Sequence, residues 1–215
     1  MHVDRRVVKA FLAALVLAAP AAAAPVRIAV RVPAAPAKAA LDGRLLLLIS
    51  KDATAEPRTQ ISESPATQQV FGRDVEGFSA AAPAVFDGSE LGYPLEALAD
   101  LPAGAYTVQA LLDIYETHHR ADGHTVKLPV DRGEGRQWNQ APGNLYSTPR
   151  QATLDPARGI TLELVLDQVI PPIAPAAETK YVKHERIRSE RLSRFWGRDV
   201  FLGAHVLLPL SLIHI

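Results

Sequence analysis

The residues best suited to bind a metal stand together at positions 118–124. His118, His119, Asp122 and His124 carry imidazole and carboxylate groups that ligate zinc. Adjacent histidines on a strand point to opposite faces, so only one of His118 and His119 can join His124. Asp122-Gly123 is typical of a hairpin turn. We therefore interpret the segment as a polar, solvent-facing hairpin tip and predict no metal site, with zinc binding through His118 and His124 as the alternative.

A second candidate group lies in the loop over 131–147. It combines two aromatic side chains with three amides: Trp138, Asn139, Gln140, Asn144 and Tyr146. A flat ring stacks on the C–H faces of a sugar and amides bind its hydroxyls, so the group suits carbohydrate recognition. A long loop with one Trp is equally typical of packing against a neighbouring domain, and we favour that interpretation. The candidate binding residues are Trp138, Asn139, Gln140 and Tyr146.

Charged residues are concentrated over 178–198. The cations are Lys180, Lys183, Arg186, Arg188, Arg191, Arg194 and Arg198, and the anions among them are Glu178, Glu185 and Glu190. A polyanion site is one interpretation. Alternating signs on a segment with a strand-like pattern favour a solvated strand face, which is our prediction.

No complete catalytic motif is present. The nearest match to a nucleophile elbow, Gly77-Phe-Ser-Ala-Ala81, lacks the second glycine and a following helix. His184-Glu185 lacks the second histidine of a His-Glu-x-x-His zinc motif, and there is no phosphate loop or dinucleotide fingerprint. We predict no catalytic residue and no cofactor in this chain.

Composition excludes several classes of protein. The 215 residues contain 23 Lys and Arg against 23 Asp and Glu, so no basic excess indicates a nucleic-acid partner. The absence of Cys excludes disulfides and cysteine-ligated metal sites. A hydrophobic content of 48% excludes a disordered chain.

The two ends have special patterns. Arg5, Arg6 and Lys9 precede the apolar run 10–19 and small residues at 21–24, which predicts a signal peptide over 1–23 and export to the periplasm or medium. An uncleaved anchor is the alternative, but the run is shorter than the ~20 residues that span a bilayer, so we expect no transmembrane span after cleavage. Residues 210–215, Leu-Ser-Leu-Ile-His-Ile, look like a translated sequencing adapter, and we treat them as an artefact.

The remaining chain has strand patterns and turn signals. The apolar run 44–50 follows the turn signal Asp42-Gly43, and 106–115 alternates with a period of two, which predicts a half-buried antiparallel strand. Tyr106 follows a small-residue turn typical of the tyrosine corner of immunoglobulin-like domains. A further strand is predicted over 160–169.

These patterns predict a mainly β chain. We expect a Pro/Ala-rich lead-in over 24–40, an immunoglobulin-like antiparallel β-sandwich over 41–170 and a proline-rich linker over 171–177. Residues 178–209 are expected to form a β-hairpin of a further domain.

The last of these segments resembles a known family. Leu192, Ser193 and the run 195–198, Phe-Trp-Gly-Arg, precede the strand-like run 202–209, Leu-Gly-Ala-His-Val-Leu-Leu-Pro. This pattern resembles the start of the hydrolase domain of secreted bacterial esterases related to the enterochelin-esterase and esterase D branch of α/β-hydrolases. The resemblance extends to the sandwich segments 104–106 and 142–147, and covers about 40–209.

The resemblance implies a protein that hydrolyses carboxylic esters, cut short before its catalytic residues. The expected partner of this chain is its own catalytic domain, and the substrate would be an ester or a carbohydrate. By itself the chain would be inactive. The alternative is a stand-alone secreted β-sandwich that binds carbohydrate or a surface partner through the Trp138 loop.

Overall fold

The computed structural model describes residues 26–34, 40–130, 135, 137–174 and 177–208. Within these ranges the chain is mainly β, with thirteen strands, one α-helix and three short 3₁₀ turns. The predicted signal peptide over 1–23 and the segment 210–215 lie outside the described residues. None of the helices in the described ranges has the length and apolar character that a membrane crossing requires.

The strands and the helix follow one another along the chain in a fixed order. They are β1 Val26–Arg31, β2 Leu41–Ser50, β3 Gln69–Phe78, β4 Ala84–Phe86, β5 Gly92–Tyr93, β6 Gly104–His119, β7 Thr125–Pro129, β8 Leu145–Tyr146, β9 Arg150–Leu154, β10 Ile160–Val165, β11 Gln168–Val169, β12 Val182–Arg188, α1 Glu190–Trp196 and β13 Phe201–Leu207.

The large sheet is organised by its longest strand, β6. One edge of β6 pairs antiparallel with β2, and the other edge pairs in turn with β9, β8 and β7. The sheet continues from β2 to β3 and β5, and from β8 to β11. All of these pairings are antiparallel, as the period-two pattern of 106–115 predicts.

A smaller sheet has the order β10-β1-β4. It contains a parallel pair, β1 with β10, which departs from the antiparallel arrangement expected throughout. Strand β1 also lies inside the predicted Pro/Ala-rich lead-in over 24–40. In this strand Ile28 and Val30 are fully buried. This part of the lead-in therefore belongs to the same domain as the two sheets, here called the β-domain.

Side chains from both sheets form one hydrophobic core. The predicted inward row of β6 contributes Tyr106, Val108, Ala110 and Leu112, and β10 contributes Leu162 and Leu164. Within the run 44–50, residues 45–49 are all apolar because this part of β2 is buried on both sides. Leu45 and Leu47 face this core, whereas Leu46 and Leu48 belong to an outer cluster with Leu111 and Ile170.

Burial on both faces corrects the prediction that β6 is half-buried. Its second face carries Gln109, Leu111 and Asp113, all buried. The outer cluster is completed by partly buried side chains that include Ile61 and Trp138, from the segments before β3 and before β8. A strand covered in this way needs internal partners for its polar groups.

The phenol of Tyr106 returns to the backbone, as its sequence context predicts. Its hydroxyl donates to the carbonyl oxygen of Pro102 at 2.6 Å. Residues 43–170 contain no α-helix in their described part, which also agrees with the strand prediction.

Two predicted boundaries are wrong. Asp42-Gly43 is a bulge inside β2, with a register shift between Leu41 and Gly43, rather than a turn before the strand. The predicted strand over 160–169 is two strands in different sheets, because β10 pairs with β1 and β11 pairs with β8.

Strands β12 and β13 form a separate two-stranded sheet, here called the ribbon. They pair antiparallel, but α1 lies between them, so the expected simple hairpin is replaced by a helix-linked pair. Ser189 caps the helix by accepting from the Leu192 amide at 3.4 Å, and Gly197 ends it with φ of 64°. Residues 171–174 of the predicted linker are exposed and irregular, and 175–176 lie outside the described ranges.

Candidate functional site

The Trp138 loop packs onto the sheet of its own domain. Trp138 is partly buried against the outer cluster, and Asn139 and Asn144 are buried. Gln140 is exposed and Tyr146 is half-buried. The loop therefore packs as predicted, but against the second face of β6 and β2 rather than against a neighbouring domain. Residues 131–134 and 136 of this loop lie outside the described ranges.

Arg58 joins the candidate residues Asn139 and Tyr146. The Asn139 amide donates to the Arg58 carbonyl at 2.8 Å, and the Arg58 guanidinium donates to the Asn139 carbonyl at 3.0 Å. The same guanidinium lies 4.4 Å from the Tyr146 ring centroid and pairs with Glu56 at 2.6 Å. A cation between an aromatic face and a carboxylate is held on two sides. Arg58 was not a candidate residue, because no local pattern around it indicates these distant partners.

Gln109 anchors the same segment from β6. It is fully buried, and its oxygen accepts from the Arg58 amide at 2.9 Å while its nitrogen donates to the Ser147 carbonyl at 2.9 Å. Ser147 in turn accepts from the Ala110 amide through its hydroxyl at 3.0 Å. These bonds tie two surface segments to the centre of the sheet.

The Asn144 amide is also fully used inside the protein. It donates to the Asp113 carboxylate at 2.8 Å and to the Trp138 carbonyl at 2.9 Å, and it accepts from the Ile114 amide at 3.0 Å. Burial raises the pKa of Asp113 above its ordinary value, and the hydrogen bond from Asn144 opposes that rise. The geometry thus assigns Asn144 a structural role.

The amides that suggested carbohydrate recognition are therefore mostly turned inward. The side-chain nitrogens of Asn139 and Asn144 are occupied by protein oxygens. The oxygen of Asn139 is buried without a hydrogen-bond partner in the described residues. Only Gln140 of the candidate amides is exposed, so the arrangement suits loop packing better than a sugar platform.

The histidines of the β6–β7 hairpin do not converge. His118 is 8% exposed and packs edge-on against Trp196, with ring centroids 5.7 Å apart. His119 is exposed and contacts the Thr125 hydroxyl at 3.0 Å, and His124 contacts Asp122 at 3.2 Å. The described ranges contain no group of three or more His, Cys, Asp or Glu side chains that could hold a metal ion.

The hairpin prediction is confirmed in part. Thr125–Pro129 pairs with the end of β6, and Gly123 has φ of 86° in the turn. The opposite orientation of His118 and His119 agrees with their difference in exposure. The solvent-facing interpretation holds for His119 and His124 but is wrong for His118, because α1 covers it.

The hairpin tip and α1 form a specific contact. The Ala121 amide donates to the Phe195 carbonyl at 2.8 Å, and the Arg120 guanidinium lies 5.0 Å from the Phe195 ring centroid. Together with the His118–Trp196 contact, this places the Phe-Trp pair of the 192–209 motif against the β-domain. The sequence shows both segments but gives no sign that they meet.

Two cations of the charged stretch over 178–198, Lys183 and Arg188, form local ion pairs. Arg188 contacts Asp199 at 2.8 Å and also pairs with Glu190, and Lys183 contacts Glu178 at 3.2 Å. The solvated-strand prediction holds for β12, but the second half of the stretch is helix α1. Lys183 and Arg188 are thus already paired with carboxylates, which weakens their attraction for a polyanion.

The ribbon exposes several large apolar side chains. Ile187 lies opposite Leu202, Glu185 opposite Ala204 and Lys183 opposite Val206. One side of the ribbon therefore carries four apolar residues together with Lys183 and Glu185, and it is here called the apolar face. Ile187 is 62% exposed and Leu202 is 53% exposed. The other side carries His184, His205 and an Arg186 guanidinium 3.9 Å from the Phe201 ring centroid.

Comparison with known protein families, with curated proteins and with solved structures finds no match.

Proposed function

We propose that this chain is the N-terminal part of an exported carboxylic-ester hydrolase. In this proposal the two main sheets form an immunoglobulin-like accessory sandwich, and the ribbon with α1 begins an α/β-hydrolase sheet. The catalytic residues belong to a domain encoded further along the same reading frame, which is the partner of the ribbon. The protein acts in the periplasm or medium on an ester or a carbohydrate substrate, with no nucleic-acid partner.

The exposed apolar face of the ribbon is the observation that carries the proposal. An isolated two-stranded sheet is marginally stable in water, and exposed apolar strands of this kind normally continue into a larger sheet. The ribbon is also the segment that resembles the start of the esterase domain. Helices that pack on the faces of an α/β-hydrolase sheet would cover side chains such as Ile187 and Leu202.

The hydrogen bond from Tyr106 to Pro102 supports the immunoglobulin-like assignment. In such domains a tyrosine at a strand start returns its hydroxyl to the backbone a few residues upstream, as Tyr106 does. The core shared by the two sheets has the side-chain arrangement expected of a sandwich.

The contact between the hairpin tip and α1 supports a role for the accessory domain in placing the hydrolase domain. Ala121, Arg120 and His118 hold Phe195 and Trp196 just before β13. A domain that follows β13 would therefore start from a defined position.

Sequencing the source DNA beyond codon 208 tests the proposal. We expect a longer frame with a Gly-x-Ser-x-Gly elbow followed by Asp or Glu and then His, the order of the α/β-hydrolase triad. The longer protein should hydrolyse p-nitrophenyl esters, its elbow Ser→Ala variant should not, and the present chain should be inactive. A continuation without the elbow and triad, or esterase activity that survives the Ser→Ala change, would overturn the proposal.

A further inference from the structure

We propose that His184 and His205 form a site for a divalent transition metal of the zinc class, bridging β12 and β13. The proposal rests on the ribbon alone and does not depend on ester hydrolysis. It differs from the hairpin alternative at His118 and His124, whose side chains do not converge.

The strand register places the two histidines directly opposite each other. His184 is the register partner of His205 in the antiparallel pair. Directly opposed residues on one face of such a pair have Cβ atoms about 4.5–5.5 Å apart. Two imidazoles at this separation can share one metal ion, since a zinc–nitrogen bond is about 2.0–2.1 Å long.

The side chains are already in contact. Their ring centroids lie 4.3 Å apart, with an angle of 69° between the ring planes. Side-chain rotation alone can turn one nitrogen of each ring toward a common point. No backbone movement is required, because the register already brings the pair together.

The nitrogens of His184 lack other partners. Both Nδ1 and Nε2 are buried, and neither has a hydrogen-bond partner in the described part of the chain. A buried imidazole normally has at least one partner, so unpaired nitrogens require an explanation. A metal ion held with His205 would give one of them a ligand bond.

The surroundings permit a metal ion. His205 is exposed, so water can reach the metal from the His205 side and supply further ligands. The Glu178 carboxylate accepts from the His184 amide at 3.0 Å and from Lys183 at 3.2 Å, which places negative charge near His184. Arg186, two residues further along the same face, has its guanidinium over the Phe201 ring.

The chemistry of the pair selects the metal class. Imidazole suits zinc, copper and nickel, whereas calcium and magnesium prefer oxygen ligands. Two protein ligands leave positions for water. A bound ion would join the strands and stabilise the ribbon by mass action.

Calorimetric titration of the whole chain with ZnCl₂ tests the proposal. We expect one zinc ion per chain and at least a tenfold loss of affinity in both His184→Asn and His205→Asn, since even outer-shell changes cost about 10–100-fold. His124→Asn is the matched control, because it removes an exposed histidine beside a carboxylate, and it should bind like the unaltered chain.

A second measurement keeps the proposal testable if the ribbon variants fail to fold. In the unaltered chain, ZnCl₂ should shift the imidazole ¹⁵N resonances of His184 and His205 together and leave those of His118 and His124 unchanged. No zinc binding by the unaltered chain overturns the proposal. Perturbation of the hairpin histidines instead would also overturn it and would favour the hairpin alternative.

Discussion

The Asn144 amide donates to the Asp113 carboxylate at 2.8 Å and ties the Trp138 loop to the middle of the longest strand. Asp113 lies on the second face of β6, and Asn144 belongs to the loop that covers this face. A buried carboxylate with an amide donor is stable only while the loop stays in place, because otherwise its oxygen loses a partner. This relationship makes the loop part of the domain core.

Asn144→Ala should destabilise the β-domain strongly. The change leaves the Asp113 carboxylate and the Ile114 amide without their partner, at a cost of about 1–3 kcal/mol for each buried group. Urea unfolding followed by fluorescence measures the free energy of unfolding. Gln140→Ala, at an exposed position of the same loop, is the control and should stay within about 0.5 kcal/mol of the unaltered chain. Equal stabilities of both variants would contradict the structural role of Asn144.

Asp113→Asn should change how stability depends on pH. Burial raises the pKa of Asp113 in the folded state above its ordinary 3.8, so the folded state keeps this proton to higher pH than the unfolded state. The raised pKa therefore adds to the free energy of unfolding. This addition is fully present below pH 3.8 and is lost as pH rises through the pKa of Asp113 in the folded state.

The measurement is the difference in unfolding free energy between Asp113→Asn and the unaltered chain, taken from pH 3.5 to 7. We expect this difference to shift in favour of the variant as pH rises, because Asn cannot ionise. Asp87→Asn, at a position where hydrogen bonds from Ser89 lower the pKa, should shift in the opposite direction. A flat difference for Asp113→Asn would show that its pKa is not raised.

Tyr106→Phe should remove one hydrogen bond from the domain with little change of packing. The lost bond is the 2.6 Å contact to the Pro102 carbonyl, and we expect a loss of about 0.5–1.5 kcal/mol in unfolding free energy. Tyr93→Phe is the control, because that ring is exposed and its hydroxyl lies 3.5 Å from the Glu63 carbonyl. If Tyr106→Phe lost no more unfolding free energy than Tyr93→Phe, the result would argue against a tyrosine corner at Tyr106.

Gly43→Ala should be costly because the backbone of β6 passes close to this bulge. A Cβ atom at Gly43 would lie 2.2 Å from the carbonyl oxygen of Asp113, so one strand must move. We expect a loss of about 1–3 kcal/mol, the range for overpacking in a closed space. At Gly203 no heavy atom lies within 4 Å of such a Cβ, so Gly203→Ala is the matched control. Thermal unfolding of both variants gives the comparison.

Trp196→Ala should loosen the ribbon without unfolding the β-domain. The change removes the ring that covers His118, and the ribbon would lose part of its contact with the hairpin. Hydrogen exchange followed by mass spectrometry should show faster exchange over 182–207 and unchanged exchange in β2 and the middle of β6. Trp138→Ala should show the reverse pattern, with faster exchange beneath the outer cluster. Unchanged exchange in the ribbon of Trp196→Ala would mean that the contact does not hold it.

The sequence predicted strands well where successive residues are alternately buried and exposed, or where all of them are buried. In β6 the residues Tyr106, Val108 and Leu112 share a face because side chains alternate along any strand, whatever its neighbours. Another local signal, the turn pair Asp122-Gly123, predicted the hairpin. It failed between β10 and β11, because the alternation of Leu162, Leu164 and Leu166 continues while the chain passes from one sheet to the other.

The candidate site was less predictable because its contacts join distant segments. Arg58 contacts Gln109 and Asn139 only after the sheet has formed. No spacing in the sequence indicates these contacts. His184 and His205 likewise become opposed through a register that α1 helps to set. Helix α1 itself had signals at both ends, Ser189 and Gly197, but its alternating charges also fit a strand.

The parallel pair between β1 and β10 joins the first and the last parts of the β-domain. During synthesis on the ribosome, β1 emerges long before β10, and its apolar residues Ile28 and Val30 have no parallel partner until then. Pairing between such remote segments is slow and leaves the nascent chain open to aggregation. A chaperone that shields the first strand should therefore raise the yield of this protein more than one that acts after release.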